Sequence, residues 1–343
     1  MSLTDYHACA GDWREQLKLN QRKTYAVIAL FFLVYIIVGL VADVFVVQTF
    51  YHVSLNQSLN AVITLRVVPY ATLMMLGFAA VSLLITYTFY DRIMLLGTEY
   101  HEITPETAQN LQEKQLYNVV EEMKIASGLQ YMPKVFIIDA NYMNAFASGY
   151  SERSAMVAIT RGLMDKLDRS EMQAVMAHEL SHIRHYDIKL TLMVAVLSNI
   201  LLMVIDVLFY SVLFRRNDDR REGGDNRLLM VVMLLRYVLP IITVILTLFL
   251  SRTREYMADA GCVELMRNNE PMARALLKIS SDHEQHAEQY AQEYGNTPHE
   301  QVRQASYLFD PSDIDPVKSL SSSFSTHPSV PQRLEALGFK PKV

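Results

Sequence analysis

Four long apolar runs punctuate the chain, at residues 24–47, 67–90, 190–214 and 228–250. Each reaches the roughly 20 residues that a helix needs to cross about 30 Å of hydrocarbon, so the pattern predicts four transmembrane helices. The first run carries one charge, Asp43. Its length, and the lack of a small-residue cleavage pattern after it, favour an anchor over a removable signal peptide. The second run holds Pro69 in its first turn, where a missing N–H costs little. A polar turn with Asp218, Asp219, Gly223, Gly224 and Asp225 joins the third and fourth runs into a hairpin, which returns the chain to the side it left. Asp206 lies eight residues before Phe214 and Arg236 eight after Leu228, so an antiparallel hairpin sets them at one depth. They either pair there or reach separately for water.

Between the runs the polar segments organise the rest. Residues 1–23 read as a cytoplasmic tail and 24–90 as an N-terminal transmembrane hairpin. Residues 91–188 with 251–343 form one domain, into which the second hydrophobic hairpin, 189–250, is inserted. Thr104-Pro105-Glu106 looks like the start of a helix running to about Ser127. Residues 135–138 and 156–159 read as short strands, and Ser170 as the cap of a further helix. The fold class is therefore mainly α with a small β component, in a multi-pass integral membrane protein whose first partner is the lipid bilayer.

Composition sharpens this picture. Hydrophobic residues make up 51% of the 343, and 31 basic against 36 acidic residues leave no basic footprint for nucleic acid. Cys9 and Cys262 are too few for a disulfide scaffold or a four-cysteine zinc site, which fits a reducing compartment. Arg14, Lys18, Arg22 and Lys23 precede the first run, whereas the loop after it holds only Arg66, so the N-terminus should face the cytoplasm. Arg215, Arg216, Arg220, Arg221 and Arg227 in the third loop dissent from that orientation.

Candidate chemistry begins at His178-Glu179-Leu180-Ser181-His182. Histidines four apart stand one helical turn above another, so both imidazoles can reach one zinc ion, with Glu179 on the flank as a general base. The alternative is a surface helix with solvated polar residues. A catalytic zinc wants a third protein ligand, and the second hairpin returns Glu255 to the side from which the His178 helix departed. Asp259, one turn later, is placed to accept the spare ring N–H of a ligand histidine. Glu255 has its own plain reading as an interfacial carboxylate beside Arg252 and Arg254. His185 and Ile188 stand where the metzincin pattern needs Gly and His, which excludes that class. His185 is expected at the membrane surface or hydrogen-bonded near Asp187. His283, His286 and His299 sit in a polar stretch, 281–300, read as a solvated helix and loop without metal ligands.

These residues resemble a known family, the HtpX-like membrane-bound zinc metalloproteases, relatives of the CAAX prenyl proteases. The resemblance covers nearly the whole chain. It includes the paired N-terminal runs, Asn144-Ala145-Phe146-Ala147-Ser148-Gly149, the block from His178 to His182, the hairpin, Ser251-Arg252-Thr253-Arg254-Glu255-Tyr256 with Ala258-Asp259, and Ser325-Thr326-His327-Pro328 followed by Arg333. It implies a gluzincin-type peptidase domain holding one Zn2+ per chain on His178, His182 and Glu255. It further implies protein quality control and stress response at the cytoplasmic face of a bacterial inner membrane, with membrane or unfolded proteins as substrates. By similarity Asn144, Ala145 and Phe146 belong to the substrate cleft, where an edge strand aligns an extended peptide, although Phe146 also reads as plain core. His327 and Arg333 are implied as donors to the oxyanion. The polar insert at 281–295 departs from the family pattern.

Three rivals stand beside this reading. An intramembrane protease of the site-2 type would need a lipid-exposed zinc helix, and Glu171, Glu179, Arg184 and Asp187 make this one too polar. A non-catalytic zinc scaffold or sensor has no use for Glu179. A prenyl-protein-processing protease would prefer a lipidated peptide.

Overall fold

The structure is a computed structural model and describes residues 3–8, 13–94, 100–149, 151–218, 226–296, 307–309 and 327–342. After a short 3-10 turn, Leu3–Asp5, the elements are β1 (Tyr6–Ala8), α1 (Trp13–Tyr51), α2 (Leu55–Ile63), α3 (Tyr70–Met94), β2 (Tyr100–Ile103), α4 (Leu111–Ser127), β3 (Lys134–Ile138), β4 (Ala145–Ser148) and β5 (Met156–Thr160). They continue with α5 (Arg161–Lys166), α6 (Arg169–Arg184), α7 (Asp187–Asp218), α8 (Asn226–Met266), α9 (Glu270–Gln285), α10 (Ala287–Asn296), α11 (Val330–Ala336) and β6 (Phe339–Pro341). Two compact units result. One comprises Met1–Thr24, Tyr87–Leu190 and Leu248–Val343, the other Tyr25–Thr86 and Thr191–Thr247.

In the first unit a four-stranded sheet has the order β2-β3-β5-β4. β3 and β5, the two strands legible in the sequence, run parallel, and β2 and β4 flank them antiparallel. Strand alternation sends Val135, Ile137, Val157 and Ile159 into a core with Leu116 and Val119 of α4, Ala174 and Val175 of α6 and Leu276 of α9. The intervening residues Phe136, Ile138 and Ala158 join Tyr142, Phe146, Tyr290, Tyr294 and Tyr307 in an aromatic cluster. Tyr290 and Tyr294 come from α10, in the stretch expected to be solvated. Their spacing of four puts both rings on one helical face, and that face is buried.

Capping sets the helix that matters most. Asp168, not Ser170, caps α6, in a capping box with Glu171, while the Ser170 hydroxyl donates to Asp168. α4 likewise starts later than expected, behind Asn110, because Thr104 and Thr107 bond each other in a turn. It ends at Gly128, whose φ of 75° suits a residue without Cβ. At the end of α6, Tyr186 with φ 55° breaks the helix, and α7 begins at Asp187.

The N-terminal segment is not a separate tail. β1 pairs antiparallel with β6, Tyr6 opposite Pro341, and Gln16 Nε2 donates to the Ala336 carbonyl at 2.7 Å.

The second unit packs Tyr35, Val38 and Ala42 of α1 with Met75 and Ala79 of α3, Ile200, Leu201, Ile205 and Leu208 of α7, and Val232 and Leu239 of α8. Asp43, the lone charge of the first run, is buried and accepts the Ala71 and Thr72 backbone N–H groups and the Thr72 hydroxyl, capping α3 from a neighbouring helix. Asp206 and Arg236 do pair, at 2.6 Å, with the guanidinium stacked over Phe209 and Tyr210. Among the described residues three helices are long and apolar enough to span a membrane, Arg14–Tyr51, Met193–Leu213 and Arg227–Met266, rather than the four expected. Of α3 the apolar part counted among the described residues is Tyr70–Ser82, below that length, although the helix itself continues to Met94. The turn 219–225, His299 and the serine stretch 321–325 lie outside the described residues.

Candidate metal centre

Two helices meet at the centre. α6 presents His178 and His182 one turn apart, and the polar end of α8, beyond its apolar stretch, presents Glu255 and Asp259 one turn apart. His178 Nε2 and His182 Nε2 lie 3.2 Å from each other, and 3.6 and 3.5 Å from the two Glu255 carboxylate oxygens. Ligands about 2.0–2.1 Å from a tetrahedral ion stand about 3.3 Å apart, so the two ring nitrogens and the Glu255 carboxylate are spaced to hold one zinc-sized ion. His178, His182 and Glu255 also form the one group of three or more such side chains found converging among the described residues. All three are buried.

Each ring is turned by a carboxylate behind it. His178 Nδ1 donates to Asp259 at 3.0 Å and His182 Nδ1 to Asp187 at 2.8 Å, which leaves both Nε2 atoms facing inward. Asp187 is a residue sequence reasoning passed over as a neighbour of His185. Its signal was its place five residues after His182, just past the helix break. Arg254 Nε stands 3.3 Å from Asp187, and burial, which resists ionisation, is outweighed by Arg254 and His182, so the Asp187 carboxyl sits below its ordinary value.

Burial pulls the His178 imidazolium down, but hydrogen bonds to Asp259 and Glu255 prevail and raise its pKa to about 9. A site that gathers this much negative charge around two imidazoles attracts a cation, whether proton or metal. Glu179 is different. Both its oxygens are buried and neither makes a well-formed hydrogen bond among the described residues. Burial pushes its carboxyl up, against the smaller pull of His178 and His182. A buried carboxylate without such bonds, beside a metal-sized site, is placed to meet a water molecule.

α11 and the segment before it complete the surroundings. Arg333 donates through Nε and Nη2 to the two Asp259 oxygens, at 2.9 and 2.7 Å, and through Nη1 to the Leu308 carbonyl at 2.8 Å. Its guanidinium is thus engaged by protein groups, and Asp259 raises its pKa against the effect of burial. His327 is buried, with Nδ1 3.5 Å from Glu255.

The expected cleft residues lie on β4 and just before it. Phe146 is core, its ring 5.8 Å from that of Tyr307. The Asn144 side chain holds the chain's own backbone, accepting the Phe309 N–H and donating to the Phe309 carbonyl and the Tyr294 hydroxyl. The Ala145 carbonyl accepts from Leu308 N–H at 2.9 Å. His185 caps the end of α6, outside the converging group. His283 is also outside it, as expected, but is fully buried rather than solvated, bonded to the Ile279 carbonyl and the Tyr294 hydroxyl. His286 stacks on Tyr290.

Comparison with known proteins identifies the family. The model of peptidase family M48 matches residues 110–338, a stretch that includes every element of the centre. The chain is 39% identical over 318 residues to a protease HtpX homolog of Helicobacter acinonychis (strain Sheeba), covering 93% of this chain and 96% of that protein. It is 32% identical over 337 residues to one of Listeria monocytogenes serotype 4a (strain HCC23), covering 94% and 98%. Among solved structures it is similar to S. mikatae Ste24p, with TM-score 0.46 and 21% identity, over 77% of this chain and 57% of that one. Three membrane-length helices among the described residues, a buried His-His-Glu group, the family match and the HtpX homologs lead to one assignment: the chain belongs to peptidase family M48, as an HtpX-like membrane metalloprotease.

Proposed function

We propose that the protein is a zinc metalloendopeptidase that hydrolyses peptide bonds of membrane or unfolded proteins at the cytoplasmic face of a bacterial inner membrane. The observation that carries this reading is the pairing of a converging three-ligand group with a buried carboxylate that makes no well-formed hydrogen bond among the described residues. His178, His182 and Glu255 supply the ligands, and Glu179 supplies the base. A zinc ion held there would supply a water ligand of lowered pKa and polarisation of the scissile carbonyl. Glu179, raised by its burial, takes the proton of the attacking water and delivers it to the leaving amine. Asp259 and Asp187 hold the ligand rings in their Nδ1–H tautomers. Arg333 fixes Asp259, which leaves His327 as the better-placed donor to the oxyanion.

Orientation rests on the basic residues ahead of the first apolar run. The N-terminal segment belongs to the same compact unit as the metal centre, so both share that face. The sensor reading is disfavoured by Glu179, since burying a carboxylate without well-formed hydrogen bonds costs stability and serves no metal-holding role.

The test is hydrolysis of casein by detergent-purified, zinc-loaded protein, comparing wild type with Glu179→Gln and measuring bound metal in both. Cleavage should drop by about 10²–10⁴-fold while zinc is retained. Equal cleavage by both proteins would remove the peptidase assignment, and metal binding without cleavage in either would favour the sensor.

A further inference from the structure

β4 is the edge strand of the sheet, and antiparallel pairing fixes which of its backbone groups face outward. Asn144 bonds to Thr160 of β5 through its backbone carbonyl, at 3.0 Å, and Phe146 and Ser148 share its direction by alternation. Ala145 and Ala147 therefore present their backbone to the open side. That edge lies beside the catalytic carboxylate, because α6, the helix that carries Glu179, packs against β4. An extended peptide adding to this edge would lie along the metal centre.

The edge already has an occupant. Residue 307 forms an antiparallel bridge with Phe146, the Leu308 N–H donates to the Ala145 carbonyl, and the Asn144 amide pairs with both backbone groups of Phe309. The Leu308 carbonyl is gripped by Arg333 Nη1, an atom 3.6 Å from Glu255. Tyr307 sits in the aromatic cluster and Leu308 in the opposite core, so the two side chains alternate across the sheet as those of an added strand do. Among the described residues the Leu308 N–H bonds the β4 backbone, and the side chains of Asn144 and Arg333 add further polar ties.

We infer that residues 307–309 are an internal pseudo-substrate: a strand of the chain itself that fills the peptide-binding edge of β4 and that a substrate must displace. The inference rests on the peptidase reading. Apparent substrate affinity is then reduced by the fraction of molecules whose edge is filled. Displacement also frees Nη1 of Arg333 beside the ligands.

The experiment uses zinc-loaded Glu179→Gln protein in lipid nanodiscs, with unfolded casein as probe. Hydrogen exchange at the Leu308 amide should quicken when casein binds. In parallel, Leu308→Pro, which removes the N–H, should tighten casein binding about two- to tenfold, the worth of one backbone hydrogen bond, and Tyr307→Ala, which removes the ring that seats the segment in the aromatic cluster, should also tighten it, both with zinc content unchanged. A Leu308 amide that stays protected in casein-saturated protein, or variants that bind casein no more tightly, would overturn the inference and make residues 307–309 a permanent fixture. Cleavage by wild type compared with Glu179→Gln, read separately, reports on the peptidase assignment itself.

Discussion

His178 and His182 can coordinate only if each ring keeps its proton on Nδ1, and two buried carboxylates enforce this. Asp187→Asn should therefore weaken zinc binding by about 10–100-fold, read by competition with a chelator, and Asp187→Glu should restore part of it. Acid should oppose the metal by another route: with His178 raised from 6.5 to about 9, the metal-free site holds a proton at neutral pH. Zinc uptake there should release that proton, seen as a binding heat that varies with buffer ionisation enthalpy, and affinity should rise with pH up to about 9. His283 behaves in the opposite sense. Burial lowers its pKa from 6.5 to about 4, so the unfolded chain takes up a proton that the folded chain refuses. Stability should fall as pH drops from 6.5 towards 4, by up to about 3 kcal/mol, and His283→Gln should flatten that slope in thermal melts.

The helices place these residues through their ends as much as through their faces. Asp168 and Glu171 close the first turn of α6 and Tyr186 breaks its last, so the two histidines sit on a short, doubly bounded helix. Asp168→Ala should cost about 1 kcal/mol in a denaturant melt with zinc removed. The start of α6 was misread by two residues because Ser170, an acceptable cap by composition, is already inside the helix and bonds the true cap. α10 shows the converse error. A run of Glu, Gln, His and Tyr reads as solvated, yet Tyr290 and Tyr294 supply a buried face that covers Tyr142. Aromatic residues four apart were the legible signal, hidden by the polarity of their neighbours.

At the scale of the whole molecule, the second unit contains an ion pair that lipid would punish if broken. Asp206→Asn and Arg236→Gln should each destabilise the protein in lipid, and a double-mutant cycle should return a coupling of about 1 kcal/mol between them. A cycle with no coupling would reduce the 2.6 Å contact to two independent charges. The division into two units also explains how a chain interrupted by a hydrophobic hairpin builds one site: residues 87–190 and 248–343 belong to the same unit, with α6 and α8 supplying the ligands.

Much of this was written in the order of residues. Apolar length marks helices, a spacing of four marks a shared face, and a hairpin must return, so three of the four predicted membrane-length helices, the His178–His182 pair and Glu255 are readable without coordinates. These are one-dimensional properties, set by the rise of a helix and the thickness of hydrocarbon. What only the tertiary structure decided depends on which distant backbone groups meet. The pairing of β1 with β6, the bond of Asp43 to the start of α3, the choice of Asp187 for His182, and the laying of residues 307–309 along β4 leave no periodic trace. Each is a directional hydrogen bond between groups far apart in the chain or across a helix break, and its partner is chosen by packing.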